Sequence, residues 1–247
     1  MTEEIKARGI CLRTTEYGEN DRIMTLLTDS KGKIAVRARG VGSPKSKLRH
    51  AAVPFAFGEY ILTVRGGYYA LKTFDYLDSF EAVSYDIIRY YCGAAALETM
   101  DKLNEDEVPD VDGFARLLRF LSDICYGGGD VRDFVTFVLD VLRLSGYGLS
   151  LGAYREGNDP AYYAFDLEEG GFVSRDVKSG SIARLTTGAA RLLIDYVEGV
   201  RPQEIPAGSC LAEILSLLSM YVRTKTGYTM RSYFELADML KGGFASR

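Results

Sequence analysis

Seven cations, Lys31, Lys33, Arg37, Arg39, Lys45, Lys47 and Arg49, fall within one short stretch, and no Asp or Glu occurs between Asp29 and Glu59. Like charges repel, so a merely solvated surface rarely collects one sign so thoroughly. A groove that follows a phosphate backbone requires that density. Gly40, Gly42 and Ser43-Pro44 make the centre of the stretch a flexible loop able to wrap a strand. Arg65 adds a further cation nearby. Tyr60, Tyr68 and Tyr69 are rings that could stack on bases, although alternation on short strands buries about half of such residues in a core. Charge does not distinguish DNA from RNA, so an RNA-binding protein built on a small basic barrel is the alternative. A protein-binding adaptor that uses the rest of the chain is a third.

Catalytic chemistry is hard to assemble from the same residues. His50 is the single histidine, so any Ser-His-Asp or Cys-His arrangement would depend on it alone, and no G-x-S-x-G elbow accompanies it. There is no H-E-x-x-H, no Walker lysine and no G-x-G-x-x-G after a strand. Gly127-Gly128-Gly129 lacks the spacing of a phosphate loop and reads as a connection between helices. Cys11, Cys92, Cys125 and Cys210 are scattered among apolar neighbours with no C-x-x-C pair, as expected of small buried hydrophobes in a reducing compartment. The expectation is a binding protein, not an enzyme, with no catalytic residues and no cofactor.

The elements that must carry these residues follow from patterning. Strands are predicted at Ile5 to Thr15, Arg22 to Thr28, Lys33 to Arg39, Phe55 to Val64 and Tyr68 to Leu77. In the third, Ile34, Val36 and Ala38 face one way while Lys33, Ala35, Arg37 and Arg39 face the other. Arg65-Gly66-Gly67 supplies the positive φ of a tight hairpin. Five short strands in so few residues suit a small barrel of the OB type, with an SH3-like barrel the competitor. Beyond Ser79 the period becomes helical: Ser84 to Leu103, Asp112 to Tyr126, Asp130 to Leu144 with Asp130 as N-cap, Gly188 to Val197, Ser209 to Thr224, and a last segment around Tyr233, Leu236 and Leu240. Residues 147–186 interrupt the helices with an irregular or two-stranded insert.

The expected fold class is therefore α+β: an N-terminal OB-fold β-barrel over residues 1–79, then an all-helical domain over 80–247 with that insert. A formal charge of −4 conceals an asymmetry. Residues 1–72 carry 13 Lys and Arg against 7 Asp and Glu, a net of +6, which leaves 17 against 27, a net of −10, for the remainder. Affinity for a polyanion depends on the local patch, so the acidic total does not exclude it. With no signal peptide and no apolar run long enough to span a bilayer, a cytoplasmic protein is expected, associated with the nucleoid if it binds DNA and without membrane partners.

Two segments resemble a known family. Lys6-Ala-Arg-Gly-Ile-Cys-Leu-Arg13 followed by Tyr17-Gly-Glu-Asn-Asp-Arg-Ile-Met-Thr-Leu-Leu-Thr28 is similar to the start of RecO proteins, and Lys31-Gly-Lys-Ile-Ala-Val-Arg-Ala-Arg-Gly-Val41 to their basic segment. Met230-Arg231-Ser232-Tyr233-Phe234 loosely echoes the family's ending. The resemblance implies an OB fold joined to a helical domain. It also implies binding of single- and double-stranded DNA, annealing of complementary strands, and loading of RecA onto strands coated by single-strand-binding protein. The implied partners are RecR and the acidic tail of single-strand-binding protein. Such a tail needs an apolar pocket rimmed by cations, for which Arg116, Arg119, Arg132 and Arg143 are candidates, though ordinary solvated helix charges would look the same. Many RecO proteins carry a four-cysteine zinc module. Here its positions fall on Ala153, Glu156, Ser174 and Val177, which cannot replace thiolates, so an insert without zinc, held by Tyr162, Tyr163, Phe165 and Phe172, is expected.

Overall fold

The computed structural model describes residues 3–151, 162–173 and 181–242. β1 (Glu3–Tyr17), β2 (Asp21–Thr28), β3 (Gly32–Ala38), β4 (Phe57–Arg65) and β5 (Tyr68–Asp78) close into a barrel in the order β1-β2-β3-β5-β4. β1 is long enough to serve both ends of the closure. Its first half pairs with β4 and its second half with β2, with the register shifting between Cys11 and Arg13. β3 meets β5 in parallel, Val36 opposite Tyr69 and Arg37 opposite Ala70. This strand order and the parallel closure are those of the OB fold, which resolves the choice that strand count left open.

β3 alternates as its sequence predicts: Ile34, Val36 and Ala38 are buried while Lys33, Ala35 and Arg37 point outward. Arg39 falls just past the strand, in the following turn. The inward residues join Cys11, Met24, Leu26, Tyr60, Leu62 and Phe74 in the barrel core, each large apolar side chain contributing about 1.5–3 kcal/mol. The hairpin from β4 to β5 turns on Gly66 and Gly67 at φ 57° and 81°, with Arg65 opposite Tyr68. Both central residues at positive φ match the twist of the strands that they join.

After the barrel come α1 (Ile87–Leu103), α2 (Val111–Tyr126) and α3 (Val131–Leu144), then β6 (Tyr162–Asp166), β7 (Gly171–Val173) and β8 (Ile182–Thr186), and finally α4 (Thr187–Val197), α5 (Gly208–Thr226) and α6 (Arg231–Lys241). Asp130 caps α3 as its sequence suggests. Its carboxylate accepts from the Arg132 amide, and its own amide donates to Asp133, closing a capping box. The expected two-stranded insert is instead a three-stranded sheet in the order β7-β6-β8, because Ile182–Thr186 extends along β6 before entering α4.

The chain forms two compact units. One comprises Met1–Tyr85 with Leu97–Gly127, the other Asp86–Ala96 with Gly128–Arg247. The strands of the barrel do end near residue 79, but packing does not divide the chain there, since α2 and the last turns of α1 belong with the barrel. In that first unit Leu12, Thr25 and Leu27 lie on the outer face of the barrel yet are buried. In the second, Phe134 meets Tyr233 edge to face at 5.5 Å, and Leu211, Ile214, Leu215, Leu218 and Val222 form the buried stripe of α5. Among the described residues no helix is long and apolar enough to cross a membrane.

Candidate nucleic-acid interface

The basic stretch divides into cations that are committed to the fold and cations that are not. The Lys33 side chain is only 13% exposed, and its ammonium donates to the Asp101 carbonyl at 2.5 Å and lies 3.2 Å from the Asp106 carboxylate. The Glu107 amide donates back to the Lys33 carbonyl, and a Cβ at position 32 would overlap the Val108 backbone, so Gly32 is what admits this segment beside β3. Asp101, itself buried, also takes Arg13 at 3.0 Å and Lys102 at 2.8 Å. Burial alone would raise its pKa, but the hydrogen bonds and charges of Lys102 and Arg13 outweigh it and hold the carboxyl below the ordinary value. Lys33 therefore clamps the end of α1 to the barrel.

Arg37 is half committed. Its guanidinium donates twice to the Asp21 carboxylate, at 2.8 and 3.1 Å, and lies 5.0 Å over the Tyr17 ring. Asp21 also accepts from the Gly40 amide at 2.8 Å, and that bond, with the one from Arg37, lowers its pKa. Asp21 so fixes the turn between β1 and β2 against residues 37–40.

Arg39, Lys45, Lys47, Arg49 and Arg65 are exposed and, among the described residues, form no ion pair; the same holds for Lys31. Lys31 sits in the turn between β2 and β3, at the opposite end of β3 from Arg39, roughly 25 Å away at about 3.3 Å per residue. It cannot share one short site with Lys45 to Arg49 through β3. The segment carrying those three is not the flexible loop that its glycines suggest. The Gly42 amide donates to the Asn20 carbonyl, Arg22 donates to the Ala52 carbonyl, and Val41, Ala51, Ala52 and Ala56 are buried in the barrel core. Arg39, Lys45, Lys47 and Arg49 thus project from a folded surface, which spares part of the ordering entropy of binding.

The tyrosines separate cleanly. Tyr60 is fully buried, its hydroxyl 3.0 Å from the Ala56 carbonyl and 3.2 Å from that of Ala51, so it is core. Tyr69 is half-buried, packed against the core. Tyr68 is 83% exposed at the hairpin tip beside Arg65 and remains available as a platform. Two further rings stand here that the sequence does not mark as platforms. His50 packs on Phe74 at 5.4 Å and on Tyr76 at 6.1 Å, immediately beside Arg49. The only signal was the adjacency of a lone histidine to the basic run; Tyr76 is distant in sequence.

The helical arginines do not make one site within either unit. Arg116 and Arg119 lie on α2 in the barrel-containing unit, Arg116 half-buried and Arg119 exposed. Arg132 and Arg143 lie on α3 in the other. Arg132 is consumed internally: it grips Asp130 with Nε and Nη2 at 2.9 and 2.6 Å, and its Nη1 donates to the carbonyls of Pro202 and Gln203. It locks the start of α3 to the segment before α5, joined there by Arg201, which takes Asp133 at 2.9 Å. Arg143 is exposed, with Asp140 at 3.8 Å.

In the insert, Phe165 meets Phe172 at 5.4 Å and Tyr221 at 6.3 Å, and Tyr163 meets Phe172 at 6.0 Å, all edge to face. Tyr162 instead lies under the Arg184 guanidinium at 4.7 Å. Positions 153, 156, 174 and 177 lie outside the described residues. Among the described residues no group of three or more His, Cys, Asp or Glu could hold a metal ion. Cys11, Cys92 and Cys125 are buried and Cys210 is half-exposed. Burial pushes the Cys11 thiol up to about 12, so it is an inert core residue.

Comparison with known proteins matches residues 1–80 to the family model for the N-terminal part of recombination protein O and residues 84–233 to that for its C-terminal part. The chain is similar to DNA repair protein RecO of Bacillus pumilus strain SAFR-032, 31% identical over 194 residues, which cover 76% of this chain and 75% of the relative. It is also similar to the RecO of Exiguobacterium sp. strain AT1b, at 32% over 192 residues with 76% of each chain covered. The Bacillus subtilis strain 168 protein is 30% identical over 175 residues, covering 68% of this chain and 66% of the relative. With both parts matched in order along an OB barrel followed by helices, the chain belongs to the RecO family.

Proposed function

We propose that this chain serves recombinational DNA repair without catalysing a reaction, binding single-stranded DNA on its barrel and annealing complementary strands. The observation that carries this is the run of exposed cations Arg39, Lys45, Lys47 and Arg49, which form no ion pair among the described residues and are held on a folded surface of an OB barrel. OB folds bind oligonucleotides on the β2–β3 face and adjoining loops, and Arg37, Arg65 and Tyr68 stand on or beside that face. Family membership supports the repair role. Annealing requires only that two flexible strands be held close while cations screen their repulsion, and duplex DNA would bind the same cations through its backbone.

The family role extends to loading RecA onto strands coated by single-strand-binding protein, with a RecR-like protein and the acidic tail of single-strand-binding protein as partners. For the tail, Arg119 and Arg143 stay candidates because they are exposed, whereas Arg132 is replaced as a candidate by its structural role. These functions place the protein in the cytoplasm, at the nucleoid.

Competition among single-stranded DNA, single-stranded RNA and duplex DNA of equal length tests the nucleic-acid role. Preference for single-stranded DNA is expected, strong preference for RNA would favour the alternative, and no binding at low salt would remove the role. Annealing should proceed in EDTA without ATP. A tail peptide should bind the whole chain, weaken as salt rises, and weaken again in Arg119→Glu; the whole chain is needed because a cut after residue 79 would divide the first unit.

A further inference from the structure

We infer that His50 and Tyr76 form a base-stacking site, separate from Tyr68, at the place where the basic segment crosses β5. A line of rings leads from the core to the surface. Tyr60 is fully buried and packs on Phe74 at 4.5 Å; Phe74 is 8% exposed and supports His50 at 5.4 Å and Tyr76 at 6.1 Å. The outer two rings emerge: Tyr76 is 47% exposed and His50 is exposed, set at 66° to each other. They are fixed from beneath, since the turn bearing His50 is anchored by the Ala51 and Ala52 backbone on Tyr60 and Arg22.

Half-open aromatic rings on a packed support, flanked by exposed cations, are what an unpaired nucleotide chain requires. The cations track phosphates, and every base has a face that stacks. Arg49 adjoins His50 directly, and Lys45 and Lys47 lie upstream on the same folded segment. The site lies off the β2–β3 face, on β5 and the connection between β3 and β4. It gives the basic segment a means to prefer single strands, because duplex bases are already stacked on each other and offer no free face.

Resting on the nucleic-acid role proposed above, this site is tested by comparing an ordinary single-stranded oligonucleotide with an abasic one of the same length, which keeps the phosphates and removes the bases. His50→Ala with Tyr76→Ala should lower affinity for the ordinary oligonucleotide about tenfold and leave abasic and duplex affinity unchanged. His50→Phe with Tyr76→Phe should restore binding, which separates stacking from damage to the fold. Equal loss on both oligonucleotides, or no loss on either, would overturn the site. Failure of the unaltered protein to bind either oligonucleotide would instead overturn the nucleic-acid role itself.

Discussion

Lys33 belongs to the basic run by sequence but to the framework by structure, and Lys33→Met separates the two. Methionine keeps most of the packed stem and removes the ammonium. The ammonium's hydrogen bond to the Asp101 carbonyl is charge-assisted and largely shielded, the Lys33 side chain being 13% exposed, and such bonds contribute about 1.5–3 kcal/mol. The pair with Asp106 adds little, about 0–1 kcal/mol, because that carboxylate is 83% exposed. Lys33→Met should therefore destabilise the barrel by about 1.5–4 kcal/mol, while Arg39→Ala, which breaks no ion pair among the described residues, should stay within about 0.5 kcal/mol. On DNA the order reverses. Arg39→Ala should flatten the slope of log affinity against log salt by about 0.7, and Lys33→Met should leave it unchanged. Because the chain has two units, stability is best read from native-state hydrogen exchange at the β3 amides, and affinity from anisotropy across a salt series. A stable Lys33→Met variant whose salt slope drops as much as that of Arg39→Ala would refute the division.

Asp101 has its pKa depressed below the unfolded value of about 3.9, so it contributes stability present above that pH and lost as pH falls through its folded value; Asp101→Asn should destabilise at neutral pH by about 1–3 kcal/mol and flatten acid unfolding, as followed by circular dichroism. Arg132→Ala should destabilise the second unit by about 1–3 kcal/mol, and Arg132→Lys should not rescue it, because an ammonium cannot reproduce the two-pronged grip on Asp130 together with both carbonyls; thermal melts measure this. Elemental analysis should find well under one zinc per chain, with chelators leaving thermal stability unchanged, and stoichiometric zinc would contradict the expected loss of the metal module.

What the sequence disclosed was local. Alternation in β3, the Gly66-Gly67 hairpin and the Asp130 cap each depend on neighbours within a few residues, and each is found where the pattern places it. The resemblance of Tyr17 to Val41 to a family reached further, because it carried the whole barrel with it. What stayed hidden was pairing across distance. Nothing near Lys33 announces Asp101, 68 residues away, and nothing near Arg132 announces the carbonyls of Pro202 and Gln203. Charge alone therefore does not distinguish Lys33, which is committed to the fold, from Arg39, which is exposed. β8 is hidden for a related reason: its buried residues, Ala183 and Leu185, alternate over too short a span to stand out from the helix that follows. The glycines around Gly40 suggested mobility, but the small buried residues Val41, Ala51 and Ala52 fold that connection into the core.

The salt dependence of single-stranded DNA binding by the fourfold variant Arg39→Ala, Lys45→Ala, Lys47→Ala, Arg49→Ala tests the barrel site most directly. Each lost phosphate contact removes about 0.7 from the slope of log affinity against log salt, so the slope should flatten by about 3, with affinity at low salt falling and the fold retained. A slope equal to that of the unaltered protein would place the nucleic-acid site elsewhere on the molecule and contradict the assignment of these four cations.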